Sequence, residues 1–296
     1  MKKSLTAAMV VALTSVPLMT TAAAAATVVP GTVSGDGGDR IGIVKGSGAA
    51  FAKEGALDAL WKGQADDVKQ IVLSGSRIGV LKDDGSAYVK EGALDAQWVY
   101  EAGNVKQLAL SGDRIGIVKG SGTAYVKEGA LDAAWKGEAD NVKELQLSGD
   151  RIGIVKGNGS AYVKEGALDA QWTGEADDVI QLALSGDRIG VLKGSGAAYV
   201  KEGALDAAWK GQADNVIQLE LSAERIGILK DTGAAFVKEG ALDAQWTDEA
   251  AGVIQIALSG DRIAIVKDTG VAYAKEGGLT AQWTTEADHV AQLALS

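Results

Sequence analysis

Residues 114–150 read RIGIVKGSGTAYVKEGALDAAWKGEADNVKELQLSGD, and the architecture is legible in these 37 residues. In Arg114–Lys119, RIGIVK, Ile115 and Ile117 alternate ahead of Gly120-Ser121-Gly122, as in a strand running into a turn. Thr123–Glu128, TAYVKE, predicts a second strand stopped by Gly129. Leu131–Lys136, which carries Trp135, predicts a third. Val142–Leu147, VKELQL, predicts a fourth, closed by Ser148-Gly149-Asp150. Four strands of about six residues and four turns of about three need about 36 residues.

The same unit fills the chain. The seven tryptophans, Trp61, Trp98, Trp135, Trp172, Trp209, Trp246 and Trp283, are each 37 residues apart. So are the seven arginines, Arg40, Arg77, Arg114, Arg151, Arg188, Arg225 and Arg262. The stretch AYVKEGALDA recurs unchanged from Ala87, Ala124, Ala161 and Ala198. Such a period points to a solenoid, a propeller or an array. A helix over Ala130–Leu145 is the competing reading, because Leu131, Trp135, Val142 and Leu145 suit one helix face and would build an open solenoid. Gly137, Gly174 and Gly211 fall mid-run and would each cost about 1 kcal/mol in a helix.

The ends favour a ring. The last unit stops at Ser296, two residues short, and Gly38-Asp39 ahead of Arg40 supply the missing pair. Val290–Leu295 laid beside the strand from Arg40 would close the circle. The expected fold is all-β: a seven-bladed β-propeller of 37-residue, four-stranded blades over residues 40–296. The C-terminal strand pairs with the N-terminal blade, and no edge is left to cap.

From Trp98 through VKQLALSGDRIGIVKGSGTAYVKEG to Trp135, the unit resembles the tectonin-type (tachylectin-like) propeller repeat. The resemblance implies a secreted or surface-recognition lectin, and with it binding of cell-surface or microbial glycans.

The N-terminus has the layout of a secretory signal peptide. Lys2 and Lys3 precede an apolar run from Leu5 to Thr20, and Ala22–Ala26 offers small-residue cleavage sites. Residues 1–26 are expected to be removed and 27–39 to form a linker, making the protein extracellular with no membrane insertion after cleavage. A membrane anchor is the competing reading, but the run is short for a span of roughly 20 residues. Losing both lysines takes the net charge from −10 to −12. So acidic a chain is a poor partner for nucleic acid or anionic lipid. It has no cysteine and one histidine, His289, which excludes thiol chemistry and multi-histidine metal sites.

Perfect repetition disperses identical groups round a ring, whereas catalysis needs unlike groups converging on one place. The expectation is a non-enzyme without cofactor or metal. Paired carboxylates such as Glu128 and Asp132 are the glycosidase alternative. Turns such as Asp66-Asp67, Asp140-Asn141, Asp177-Asp178 and Asp214-Asn215 offer oxygens for calcium, or form simple Asx turns. The candidate ligand-binding residues are Trp61, Trp98, Trp135, Trp172, Trp209, Trp246 and Trp283, with Arg77, Arg114, Arg151, Arg188, Arg225 and Arg262. An indole stacks on a sugar face or packs one sheet on the next. A guanidinium forks onto a ligand or links blades through carboxylates and carbonyls. The aromatic register Phe51, Tyr88, Tyr125, Tyr162, Tyr199, Phe236 and Tyr273 tolerates loss of the hydroxyl, which favours packing. In the Lys-Glu-Gly triplet, lysine and glutamate face opposite ways. Two functions follow: a multivalent lectin, or an extracellular protein-binding or envelope scaffold propeller.

Overall fold

The structure, a computed structural model, describes residues 39–222 and 224–296. The leader expected at 1–26 and the linker up to residue 38 lie outside the described residues. The described chain is a ring of seven four-stranded antiparallel sheets with no helix, so the helical solenoid does not form.

Blade VII is made from both chain ends, with β1 (Arg40–Lys45), β2 (Ala50–Glu54) and β3 (Lys62–Ala65). Blade I holds β4 to β7 (Val68–Ser74, Arg77–Lys82, Ala87–Glu91, Val99–Ala102). Blade II holds β8 to β11 (Val105–Ser111, Arg114–Lys119, Ala124–Glu128, Lys136–Ala139). Blade III holds β12 to β15 (Val142–Ser148, Arg151–Lys156, Ala161–Glu165, Thr173–Ala176). Blade IV holds β16 to β19 (Val179–Ser185, Arg188–Lys193, Ala198–Glu202, Lys210–Ala213). Blade V holds β20 to β23 (Val216–Leu221, Arg225–Lys230, Ala235–Glu239, Thr247–Ala250). Blade VI holds β24 to β27 (Val253–Ser259, Arg262–Lys267, Ala272–Glu276, Thr284–Ala287), and β28 (Val290–Leu295) completes blade VII. The closure read from the two ends is present: Ile41 lies opposite Leu295 and Ile43 opposite Leu293.

One strand moves. The expected Leu131–Lys136 strand is a turn, and the outermost strand is Lys136–Ala139. Ala133 N–H bonds the Ala130 carbonyl at 2.9 Å, tightening Gly-Ala-Leu-Asp-Ala into a loop. Trp135 therefore ends a loop instead of sitting mid-strand. The aspartates and asparagines proposed as oxygen clusters explain themselves through the backbone. Asp67, Asn104, Asn141, Asp178 and Asn215 are left-handed, with φ of 53–57°, at the turn entering each inner strand. Short polar side chains and glycine tolerate that region best. His289 occupies the same place in blade VII and Gly252 in blade VI.

The first strand of each sheet is innermost, and these seven strands neighbour one another in a closed cycle. Their leucines pack on the glycine of the preceding blade's second strand. A Cβ on Gly116 would lie 2.6 Å from Leu145 Cδ2.

The opposite side of each inner strand carries a clasp. Gln70 Nε2 donates to the Leu108 carbonyl at 3.1 Å, and Leu108 N–H donates back to Gln70 Oε1 at 3.0 Å. Gln107, Gln181, Gln218, Gln255 and Gln292 make the same two bonds to the next blade. Blade III has Glu144 instead, which accepts from Leu182 N–H at 3.2 Å and as a carboxylate has no donor for the Leu182 carbonyl. Burial raises the Glu144 carboxyl to about 7, against hydrogen bonds from Gln146 and Leu182 that lower it. Burial likewise raises Glu220, two blades on, to about 8, with the Glu144 charge adding to the rise.

Both values lie above the ordinary 4.5, so the native state keeps protons that the unfolded chain gives up. Stability from these groups is complete below about pH 4.5 and is lost as pH rises from there to 7–8, above which both states are deprotonated. Glu144→Gln restores the second clasp bond. Chemical denaturation should show it more stable than wild type near neutral pH by about 1–2 kcal/mol, with a flatter pH dependence. An unchanged or lower midpoint would count against the clasp.

Candidate functional site

The sequence-selected residues gather at the seams between blades, in two constellations that repeat round the ring. The first is an arginine bolt. Arg114, at the start of β9, is buried and its Nε donates to Glu128 of its own blade at 2.8 Å. Its Nη2 donates to the Gly166 carbonyl of the next blade at 2.6 Å. All seven arginines repeat this pair, including Arg262 of blade VI to Gly55 of blade VII, so the bolts run through the closure. In Arg40 the Nη1 group also donates to the Ser76 carbonyl at 2.7 Å. Of the two readings of arginine, the geometry is that of the interblade link. The carboxylate is supplied from within the blade and the carbonyl from across the seam. The residue preceding each arginine, an acid in six units and Ser76 in the other, offers its main chain: the Asp113 carbonyl accepts from Gly129 N–H.

The second constellation is a lysine wedge, and it settles which way the Lys-Glu-Gly triplet faces. The glutamate turns outward to the arginine, and the lysine turns into the seam. Lys164 is 2% exposed, and its Nζ bonds the Leu168 carbonyl of the Gly-Ala-Leu loop and pairs with Glu138 of the preceding blade. It sits 4.9 Å from the centre of the Trp172 ring. Lysine lies over tryptophan in all seven blades, at 4.6–5.0 Å. A desolvated ammonium on an indole face is worth about 2 kcal/mol. The tryptophans are half-buried and pack against the interblade cores, and Trp61 Nε1 donates to the Glu286 carbonyl of blade VI at 3.2 Å. One indole face is therefore occupied by lysine, and part of each ring stays exposed.

Two of the seven wedges differ. The seam facing Lys90 presents Gln64, and the seam facing Lys238 presents Gln212, where the other five present glutamate. Oε1 is buried without a hydrogen-bond partner in both glutamines, as it is in the five glutamates, so what these two seams lack is the carboxylate charge opposite the lysine. Burial lowers the Lys90 ammonium to about 8, helped by the nearby charges of Lys62 and Arg40. Lys238 is lowered for the same first reason. Among the described residues no three acidic, histidine or cysteine side chains gather as a metal site.

The glutamine clasps lie outside the residues that sequence spacing singled out, and the triplet lysines were singled out without a direction. The signal of the clasps is present: Gln70, Gln107, Gln181, Gln218, Gln255 and Gln292 recur at a fixed register, two residues after the first valine of their inner strands. A buried amide needs partners, and here they are backbone groups one repeat away.

No family model matches the chain, and no curated protein matches its sequence. Among solved structures, Prp20p from Saccharomyces cerevisiae, described with its binding properties to Gsp1p and histones, is similar over 90% of this chain and 89% of its own, at 10% identity and a TM-score of 0.64. Yeast RCC1 (Prp20) bound to Kap60 is similar over 71% of this chain and 70% of its own, at 13% identity and a TM-score of 0.59. PorZ, a surface component of the type-IX secretion system of Porphyromonas gingivalis, matches 81% of this chain at 15% identity and a TM-score of 0.61. This chain spans 36% of the PorZ chain. At such identities the likeness is one of fold alone.

Gln64→Glu should complete a sixth ion pair, return Lys90 toward its ordinary value and stabilise the ring. The native state now binds fewer protons than the unfolded chain between pH 8 and 10.5, so stability from Lys90 rises with pH across that window. Denaturation midpoints at both ends of the window should show that this rise disappears in Gln64→Glu. Conversely, Glu138→Ala strands Lys164 and should cost about 3–5 kcal/mol.

Proposed function

We propose that this propeller is an exported, non-catalytic protein-recognition module. The observation that carries the reading is a division of labour within the repeat. The residues identical in every blade, arginine and the lysine–tryptophan pair, are engaged in seams. The exposed large apolar residues break the repeat: Leu60, Val99, Tyr100, Ile180, Ile217 and Ile254. Non-equivalent exposed apolar groups on a symmetric frame are what one asymmetric partner requires. The protein partners named for the yeast neighbours, Kap60, Gsp1p and histones, lend the reading support at the level of fold. Export is supported by the leader-like N-terminal sequence.

The second reading is kinship with tectonin-type propellers and multivalent glycan binding. It is favoured by seven equivalent, partly exposed indoles. Several weak sites on one ring would gain avidity of about 10² to 10⁴ on a dense glycan surface.

Affinity capture with the mature chain, from the envelope and medium of cells that produce it, separates the two. Protein recognition predicts one protein retained in a fixed ratio, released by unlabelled propeller and indifferent to free sugars. A coherent set of hits on a glycan array, with no protein retained, would establish the lectin instead.

A further inference from the structure

Each inner strand begins with a β-bulge. In β16, Val179 pairs with Lys193 and Gln181 with Leu192, leaving Ile180 unpaired between them. The same slip occurs in blades I, II, III, V and VI. A bulge re-aims one side chain out of the ladder, and here it turns the second residue of every inner strand to solvent at one end of the ring. Because the inner strands form the innermost cycle, these residues surround the axis.

The identity of that residue divides the rim in two. Blades I, II and III present Lys69, Lys106 and Lys143, all exposed. Blades IV, V and VI present Ile180, Ile217 and Ile254, which are 43%, 54% and 50% exposed. Blade VII presents the small Ala291. Three consecutive lysines thus face three consecutive isoleucines. Lys106 runs along the rim to the next blade, where its Nζ donates to the Val142 carbonyl at 2.8 Å.

The fold does not ask for isoleucine here. The same bulge, between the same valine and clasp residue, is built with lysine in three blades, so half-exposed isoleucine adds no core. Outside this rim, the same end of the ring carries both signs, with a lysine ending each second strand, as Lys82 does beside Asp66, among aspartates in the turns. Asp66 and Asp67 in the turn entering β4, and Asp83 and Asp84 in the β5–β6 turn, are exposed, and the turns entering β12, β16 and β20 carry Asp140, Asp177 and Asp214. Three cations confined to one arc, beside an aliphatic arc, match a single segment carrying both kinds of group better than a uniformly anionic surface.

We propose that this axial rim docks a peptide segment of a partner protein that bears carboxylates beside aliphatic side chains. The carboxylates sit on the arc of Lys69, Lys106 and Lys143, and the aliphatic groups on the arc of Ile180, Ile217 and Ile254. Apolar contact supplies the anchor, and the lysines set orientation and speed encounter. This rests on the protein-recognition reading and gives it a face and a chemistry.

The test is selection of a random peptide library, displayed on phage, against the folded chain. Binding of the enriched peptides is then measured to wild type and to two triple variants, I180S/I217S/I254S and K69Q/K106Q/K143Q. All six positions are exposed, and circular dichroism and denaturation midpoints confirm the fold of each variant. The expected result is enrichment of acidic–aliphatic peptides whose binding falls about tenfold or more in each variant. Added salt should weaken binding to wild type and barely affect what remains in the lysine variant. Peptides that bind both variants as well as wild type would overturn the docking face while leaving protein recognition standing. No enrichment would overturn the face as well, and protein recognition would then stand or fall on the affinity capture. Two further results would also overturn the proposal. One is binding to phosphatidylserine-containing vesicles that the lysine variant loses. The other is a concentration-dependent dimer that the isoleucine variant abolishes.

Discussion

Leu145 of β12 lies against the backbone of Gly116 in β9, where a single methyl group would come within 2.6 Å of its Cδ2 atom. This contact between an inner strand and the preceding blade recurs at Gly42, Gly79, Gly153, Gly190 and Gly227. It sets how closely successive sheets stack, and so how tightly the ring turns. The one departure is Ala264 in blade VI, fully buried against the strand that completes blade VII. Polar groups buried in these seams draw partners from the neighbouring blade, although Nη1 of Arg77, Arg114, Arg151, Arg188 and Arg262 has none.

The clasps, bolts and wedges supply those partners at different radii. Near the axis, an amide binds both backbone groups of the neighbouring strand. At one end of the ring, arginine joins a carboxylate of its own blade to a carbonyl of the next. Farther out, a lysine is held by an indole face, a loop carbonyl and a neighbour's glutamate. Buried ion pairs contribute little net stability, since desolvation offsets much of their attraction. Their value here is directional, because each is complete only when two blades meet in one register. Where the series break, at Glu144 among the clasps and at Gln64 and Gln212 among the wedges, the titration of a buried group is displaced.

A ring that spends its repeated residues on its seams is left with its irregular ones for recognition. The near-identity of the units makes their differences informative. At the axial rim the lysine and isoleucine blades fall into two unbroken arcs, an order that neither packing nor the bulge demands. The outer edge of blade I departs separately, with Val99 and Tyr100 where other units carry lysine or threonine before glycine or a polar residue. Tyr100 packs edge-on to Tyr88 with ring centres 5.5 Å apart, which accounts for part of its burial.

Ring, blade number and closure were legible in the sequence because they follow from local and periodic properties. Alternating isoleucines in RIGIVK, glycine turns, a spacing of 37 and two ends that complete one unit need no knowledge of what lies alongside. The outermost strand was misplaced because Leu131 and Trp135 look like strand residues until the loop carbonyls are seen holding a lysine. The functions of Arg114, Lys164 and Gln107 were open for the same reason: each is completed by an atom in the neighbouring blade, 26 to 52 positions away along the chain. A repeat announces that such residues matter equally in every unit. Only the packed ring decides that they face a seam, because the partner, the burial and the direction of the side chain exist only once two blades are stacked.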